Sequence, residues 1–122
     1  MKLTDVVPVL WTESLAHTID FYTQILGFTC DESVDEWGWA SLSRDGAQIM
    51  LAKPNEHTPK KDIGFSGSFY FRTDDVLLLW NHLKDKVNIC YPLDTFPWGM
   101  QEFAIYDNNG YILQFGQDIA NE

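Results

Sequence analysis

Basic residues are scarce in this chain: eight Lys and Arg stand against 18 Asp and Glu, a formal charge of −10. That balance argues against a nucleic-acid partner, because phosphate binding depends on clustered cations. Cysteine is nearly absent as well. Cys30 and Cys90 make neither a disulfide framework nor a zinc site, and read as reduced thiols. No apolar run approaches the ~18 residues needed to cross a bilayer, so no membrane partner is expected. The start, Met1-Lys2-Leu3-Thr4-Asp5, is too polar for a signal peptide, which makes the cytoplasm the expected location. Nucleophilic catalysis lacks its usual signs: no Gly-x-Ser-x-Gly elbow occurs, and neither cysteine has a histidine nearby in sequence.

What the chain has is apolar and aromatic material, 45% and 15% of its 122 residues. This suffices for one domain, residues 1–122, with a real core. Its pattern is written twice. Val6 to Trp11 reads as a strand, Ser14 as a helix N-cap, and Leu15, Ile19, Tyr22 and Leu26 as a helical stripe stopped by Gly27. Strands follow near 28–34, 38–43 and 48–52, with Arg44-Asp45-Gly46 as a turn. A linker without periodicity, about 53–66, leads to the second copy. There Gly67 to Thr73 is a strand, and Asp74 or Asp75 caps a helix whose buried stripe is Val76, Leu79 or Trp80, Leu83 and Val87. Strands near 89–93, 101–106 and 111–115 complete it, and Asp107-Asn108-Asn109-Gly110 is the hairpin turn between the last two. The helix caps Ser14 and Asp75 lie 61 residues apart, half the chain length. The expected fold is therefore α+β: tandem βαβββ modules, about 1–55 and 65–122, forming a curved mixed-sheet cup with helices on the outer face.

Alternation along each strand assigns faces. Phe69, Phe71, Ala40, Leu42, Ile49, Leu51, Leu113 and Phe115 suit the core. Trp37, Trp39, Ser41, Gln48, Met50, Ser68, Tyr70, Arg72, Ile112 and Gln114 then face the cup, with Tyr106 and Trp11 on or near its lining and Trp98 at the rim. Aromatic rings so placed stack on planar ligands or cations.

Val7-Pro8-Val9-Leu10, the run Ser14 to Tyr22, and the Leu26-Gly27-Phe28 helix exit resemble the opening of the vicinal oxygen chelate superfamily, the glyoxalase, bleomycin-resistance and dioxygenase proteins. Pro97-Trp98-Gly99, Glu102-Phe103-Ala104 and Asp107-Asn108-Asn109-Gly110 look closest to its bleomycin-resistance branch. The resemblance covers essentially the whole chain. Metal-dependent relatives draw two His or carboxylate ligands from each half, and the aligned positions here hold Val7, Met50, Ser68 and Gln114. Valine offers no donor, and a thioether, a hydroxyl and an amide are poor ligands for a divalent ion. His17, His57 and His82 fall on the two helices and the linker, away from the cup. No metal, cofactor or catalytic residue is expected.

The resemblance implies a small-molecule-binding protein that sequesters a bleomycin-like cationic aromatic antibiotic, as a homodimer whose second chain completes the cup. In that scheme Trp37, Trp39 and Trp98 wall the ligand. Glu102 and the acidic run Asp31, Glu32, Asp35 and Glu36 offset its charge, while Met50, Ser68, Tyr70, Arg72, Tyr106 and Gln114 complete the lining. Arg72 is an odd neighbour for a cation; it either pairs with Glu102 or marks an anionic ligand. Two alternatives stay open: a metal-independent lyase or isomerase of the same superfamily with Glu102 as general base, and a non-catalytic regulatory or scaffold dimer whose aromatics serve dimerisation.

Overall fold

The computed structural model describes residues 1–2, 4–56 and 68–119. Most of the expected linker, with His57 and Gly67, lies outside the described residues. The chain divides into two compact units, Met1–Lys61 and Asp62–Glu122. Each unit builds a βαβββ module with one four-stranded mixed sheet, so the fold is α+β as expected.

In the first unit β1 (Val9–Trp11) is followed by α1 (Leu15–Asp20), β2 (Thr29–Val34), β3 (Trp39–Arg44) and β4 (Ala47–Ala52), and the strand order is β1-β4-β3-β2. β1 runs parallel to β4, and the other pairings are antiparallel. The strand expected from Val6 forms only from Val9. The helix expected to reach Leu26 widens after one and a half turns into a π-helical turn, Phe21–Ile25. Thr23 Oγ1 donates to the Ile19 carbonyl at 2.8 Å inside that turn, and Arg44 Nη1 caps its end by donating to the Leu26 carbonyl at 2.7 Å. Ser14 sits at the N-cap position but makes no side-chain cap hydrogen bond. Thr12 Oγ1 accepts from the Ser14 backbone instead.

The second unit repeats the plan with β5 (Phe69–Arg72), α2 (Val76–Leu83), β6 (Asn88–Thr95), β7 (Met100–Tyr106) and β8 (Ile112–Asp118), ordered β5-β8-β7-β6. Asp75 caps α2 by accepting from the Leu78 N–H at 3.1 Å, which satisfies one orphan donor of the first turn. The core face obeys the sequence alternation in both units. Ala40, Leu42, Ile49 and Leu51 are fully buried in the first, as are Phe103, Ile105 and Leu113 in the second. Trp80 carries the α2 contact, its ring centroid 5.1 Å from that of Phe103, and Phe103 stacks on Phe115 at 5.2 Å. No described helix is long and apolar enough to cross a membrane.

Candidate functional site

The face of the second sheet turned away from α2 holds a hydrogen-bonded chain centred on Glu102. Glu102 is only 4% exposed, and three donors reach its carboxylate. Tyr91 Oη donates to Oε2 at 2.5 Å, Trp98 Nε1 to Oε1 at 3.2 Å, and Tyr70 Oη to Oε1 at 3.3 Å. Gln114 Nε2 donates to Tyr91 Oη at 2.9 Å, while Gln114 Oε1 accepts from Ser68 Oγ. A buried carboxylate is costly unless its oxygens are occupied, and here they are.

Local sequence explains how Trp98 reaches this chain. Phe96 N–H donates to the Met100 carbonyl and Gly99 N–H to the Phe96 carbonyl, which closes a three-residue hairpin loop over Pro97, Trp98 and Gly99. Such a loop needs a left-handed residue in third place, and Gly99 supplies it at φ +83°. The loop lays the Trp98 ring on Phe96 with centroids 4.8 Å apart and planes 14° from parallel. Trp98 still exposes 65% of its surface.

Gly116 makes the floor. It pairs with Arg72 on one side and Glu102 on the other, and a Cβ added there would lie 1.9 Å from Tyr70 Oη. Only a residue without a side chain lets the Tyr70 ring lie across the strand. Around this floor Tyr70, Arg72, Trp98, Met100, Glu102 and Asp118 line an open groove of about 560 Å³. Its phenols are weak acids in this setting. Burial, reinforced by the hydrogen bond to Glu102, pushes Tyr91 up to about 12. Burial and the charge of Glu102 raise Tyr70 in the same direction. Both hydroxyls remain protonated donors near neutrality.

Of the residues expected from sequence, Tyr70, Arg72, Trp98 and Glu102 come together in the groove, and Ser68 and Gln114 join through Tyr91. Tyr106 shares the face but stands four residues beyond Glu102, outside the lining. There it contacts Cys90, whose thiol raises the phenol above its ordinary range. Trp37, Trp39 and Met50 belong to the first unit. The two indoles there are tilted together at 6.4 Å, with Trp37 71% exposed. Arg72 forms no ion pair with Glu102 or any other described residue.

Tyr91, Met100 and Asp118 were not singled out from sequence; Met100 and Asp118 obey parity but lie beyond the expected strand ends at 101 and 115. A bulge in β6 sets the face of Tyr91: Ile89 pairs with Ile105, but Tyr91 pairs with Ala104, which turns Tyr91 to the groove face. Pro92 directly after it was the available signal, since proline in a strand marks an edge or a bulge.

In neither unit do the two aligned positions fit a divalent metal. Ser68 and Gln114 spend their polar atoms on each other and on Tyr91, Met50 offers a thioether and Val7 nothing. Among the described residues no three His, Cys, Asp or Glu side chains cluster as ligands.

The model of the Glyoxalase/Bleomycin resistance protein/Dioxygenase superfamily matches residues 5–115. The chain belongs to that superfamily. A search of curated proteins finds no match. Solved structures similar to it include a protein of unknown function from Agrobacterium tumefaciens str. C58, with TM-score 0.80 and 18% identity over 96% of this chain and 95% of that one. Another is a bleomycin-binding protein from bleomycin-producing Streptomyces verticillus, complexed with copper(II)-bleomycin, at TM-score 0.74 and 22% identity over 94% and 96%. A third is the lactoylglutathione lyase of Agrobacterium tumefaciens, at TM-score 0.75 and 16% identity over 98% of each chain. At these identities the likeness speaks for the fold, which serves a binding protein and an enzyme alike.

Proposed function

We propose that this superfamily member binds a planar aromatic, bleomycin-like cationic drug without transforming it, and protects by holding it. The observation that carries this reading is Trp98: an indole left 65% exposed, yet backed by Phe96 and tied by its Nε1–H to buried Glu102. A ring fixed on one face and open on the other is prepared for stacking. Asp118 at the groove and the net charge of −10 favour a cation. Catalysis finds little to work with here, since the Glu102 oxygens are already engaged by three donors and the phenols hold their protons. Glu102 thus serves more as the anchor of the wall than as the counter-ion expected from sequence.

Bleomycin titration followed by Trp fluorescence tests the reading. A saturable quench below about 100 μM is expected, with Trp98→Ala weakening binding by roughly 1–3 kcal/mol, mainly through the off-rate. An effect of Trp39→Ala as large as that of Trp98→Ala would move the site away from the groove, and no saturable quench in the wild type would reject drug binding. The reading includes a homodimer, since Trp37, Leu77 and Leu78 leave much apolar surface exposed. Sedimentation at micromolar concentration should give twice the 14.1 kDa chain mass.

A further inference from the structure

The groove contains a guanidinium that the described protein does not use. Arg72 ends β5 and lines the groove beside two carboxylates, Glu102 and Asp118, yet forms an ion pair with no described residue. It does not neutralise Glu102. Gly116 separates the two across the sheet, so their backbones stand two strand spacings apart, roughly 9–10 Å. Tyr70, Tyr91 and Trp98 meanwhile occupy the Glu102 oxygens. Beyond the Tyr70 ring that covers Gly116, the groove is open, and the Arg72 and Trp98 side chains both line it.

We infer that Arg72 receives an anionic group, a carboxylate, on the flat aromatic molecule that stacks on Trp98. This rests on the binding reading above and specifies its ligand: an aromatic acid. A planar guanidinium meets a carboxylate through two parallel N–H···O bonds, a match that an amide or ammonium cannot reproduce. The chain as a whole repels anions at −10, so preference for an acid over its neutral analogue requires a local cation rather than the general field.

Calorimetric titration with 2-naphthoate, 2-naphthamide and 2-naphthyl phosphate tests this in the wild type and in Arg72→Gln, Arg72→Lys and Lys84→Gln. Lys84→Gln removes the same charge from an exposed position after α2. The acid should bind at least about 10-fold tighter than the amide to the wild type. Arg72→Gln should erase that ratio by weakening the acid and leaving the amide unchanged, Arg72→Lys should retain part of it, and Lys84→Gln all of it. An acid-to-amide ratio near one in the wild type, a ratio that survives Arg72→Gln, a preference confined to the phosphate, or no binding of any naphthyl probe would each overturn the assignment. Bleomycin binding without acid preference rejects the Arg72 assignment alone. Acid preference without bleomycin binding rejects the drug and keeps Arg72.

Discussion

Where the first half sets Trp39 beside Ala52, the second sets Glu102 beside Gly116, at matching rungs of two ladders with the same strand order. One rung further in, Val9, Met50, Ser41 and Glu32 correspond to Tyr70, Gln114, Ala104 and Tyr91. Even the bulge recurs, between Cys30 and Glu32 in one half and Ile89 and Tyr91 in the other. The helix-packed faces are alike, a continuous apolar surface in each unit. The opposite faces are not. One carries indoles, a thioether and a Gln48–Ser41 hydrogen bond, while the other carries a satisfied polar chain over a glycine floor. Packing a helix restricts a face to apolar side chains of fitting volume, and the face without that duty is free to acquire chemistry.

The largest effects should fall on the shared face. Phe103→Ala is expected to cost about 3–5 kcal/mol and Leu42→Ala about 2–5 kcal/mol, because each removes a fully buried side chain from its own core. Urea unfolding of the two variants checks the equivalence. A near-zero cost at either site would show that only one half is held together by its helix-packed face.

Exchanging the groove floor tests the other face. Gly116→Ala installs the Cβ that Ala52 carries at the matching rung, and that atom would collide with Tyr70 at 1.9 Å. Tyr70 must swing off the sheet and release Glu102, at a cost of roughly 1–3 kcal/mol. Tyr70→Val, which copies Val9, removes the obstacle. In a double-mutant cycle the pair should therefore cost less than the sum of the singles by about 1 kcal/mol or more. Additive costs would mean that the glycine serves the backbone rather than the tyrosine.

The modules, their strand order of appearance and many of the core residues were legible in the sequence, because hydrophobic alternation repeats at 2.0 and 3.6 residues and is set by burial. Ile49, Leu51, Leu113 and Phe115 were assigned from parity alone and are buried. The groove was legible only where strands stay regular: Tyr70, Arg72 and Glu102 follow parity, and Trp98 follows its turn. Tyr91 was hidden by a bulge, and parity fails after any inserted residue. Gly116 was hidden for a different reason. Its role depends on a ring from a strand 46 residues earlier lying over it, and nothing local signals that.

The smallest effect concerns the rung where Glu32 in the first half corresponds to Tyr91 in the second. An unfolded tyrosine titrates near ~10, whereas Tyr91 in the fold is pushed up to about 12, first by burial and then by its hydrogen bond to Glu102. A folded value above the unfolded one means that the native state holds its proton longer. The contribution is therefore complete below about pH 10 and is lost as pH climbs through the folded value. Alkaline ultraviolet titration should show one phenolate step near the top of that window, absent in Tyr91→Phe. Glu102→Gln should move the step downward, since the charge and the strong acceptor are gone, but not to the ordinary value, because burial is the larger cause and remains. A Tyr91 step at the ordinary phenol value in the wild type would mean that the chain from Gln114 through Tyr91 to Glu102 does not hold in solution. The two halves would then differ in their residues but not in the order of their groove faces.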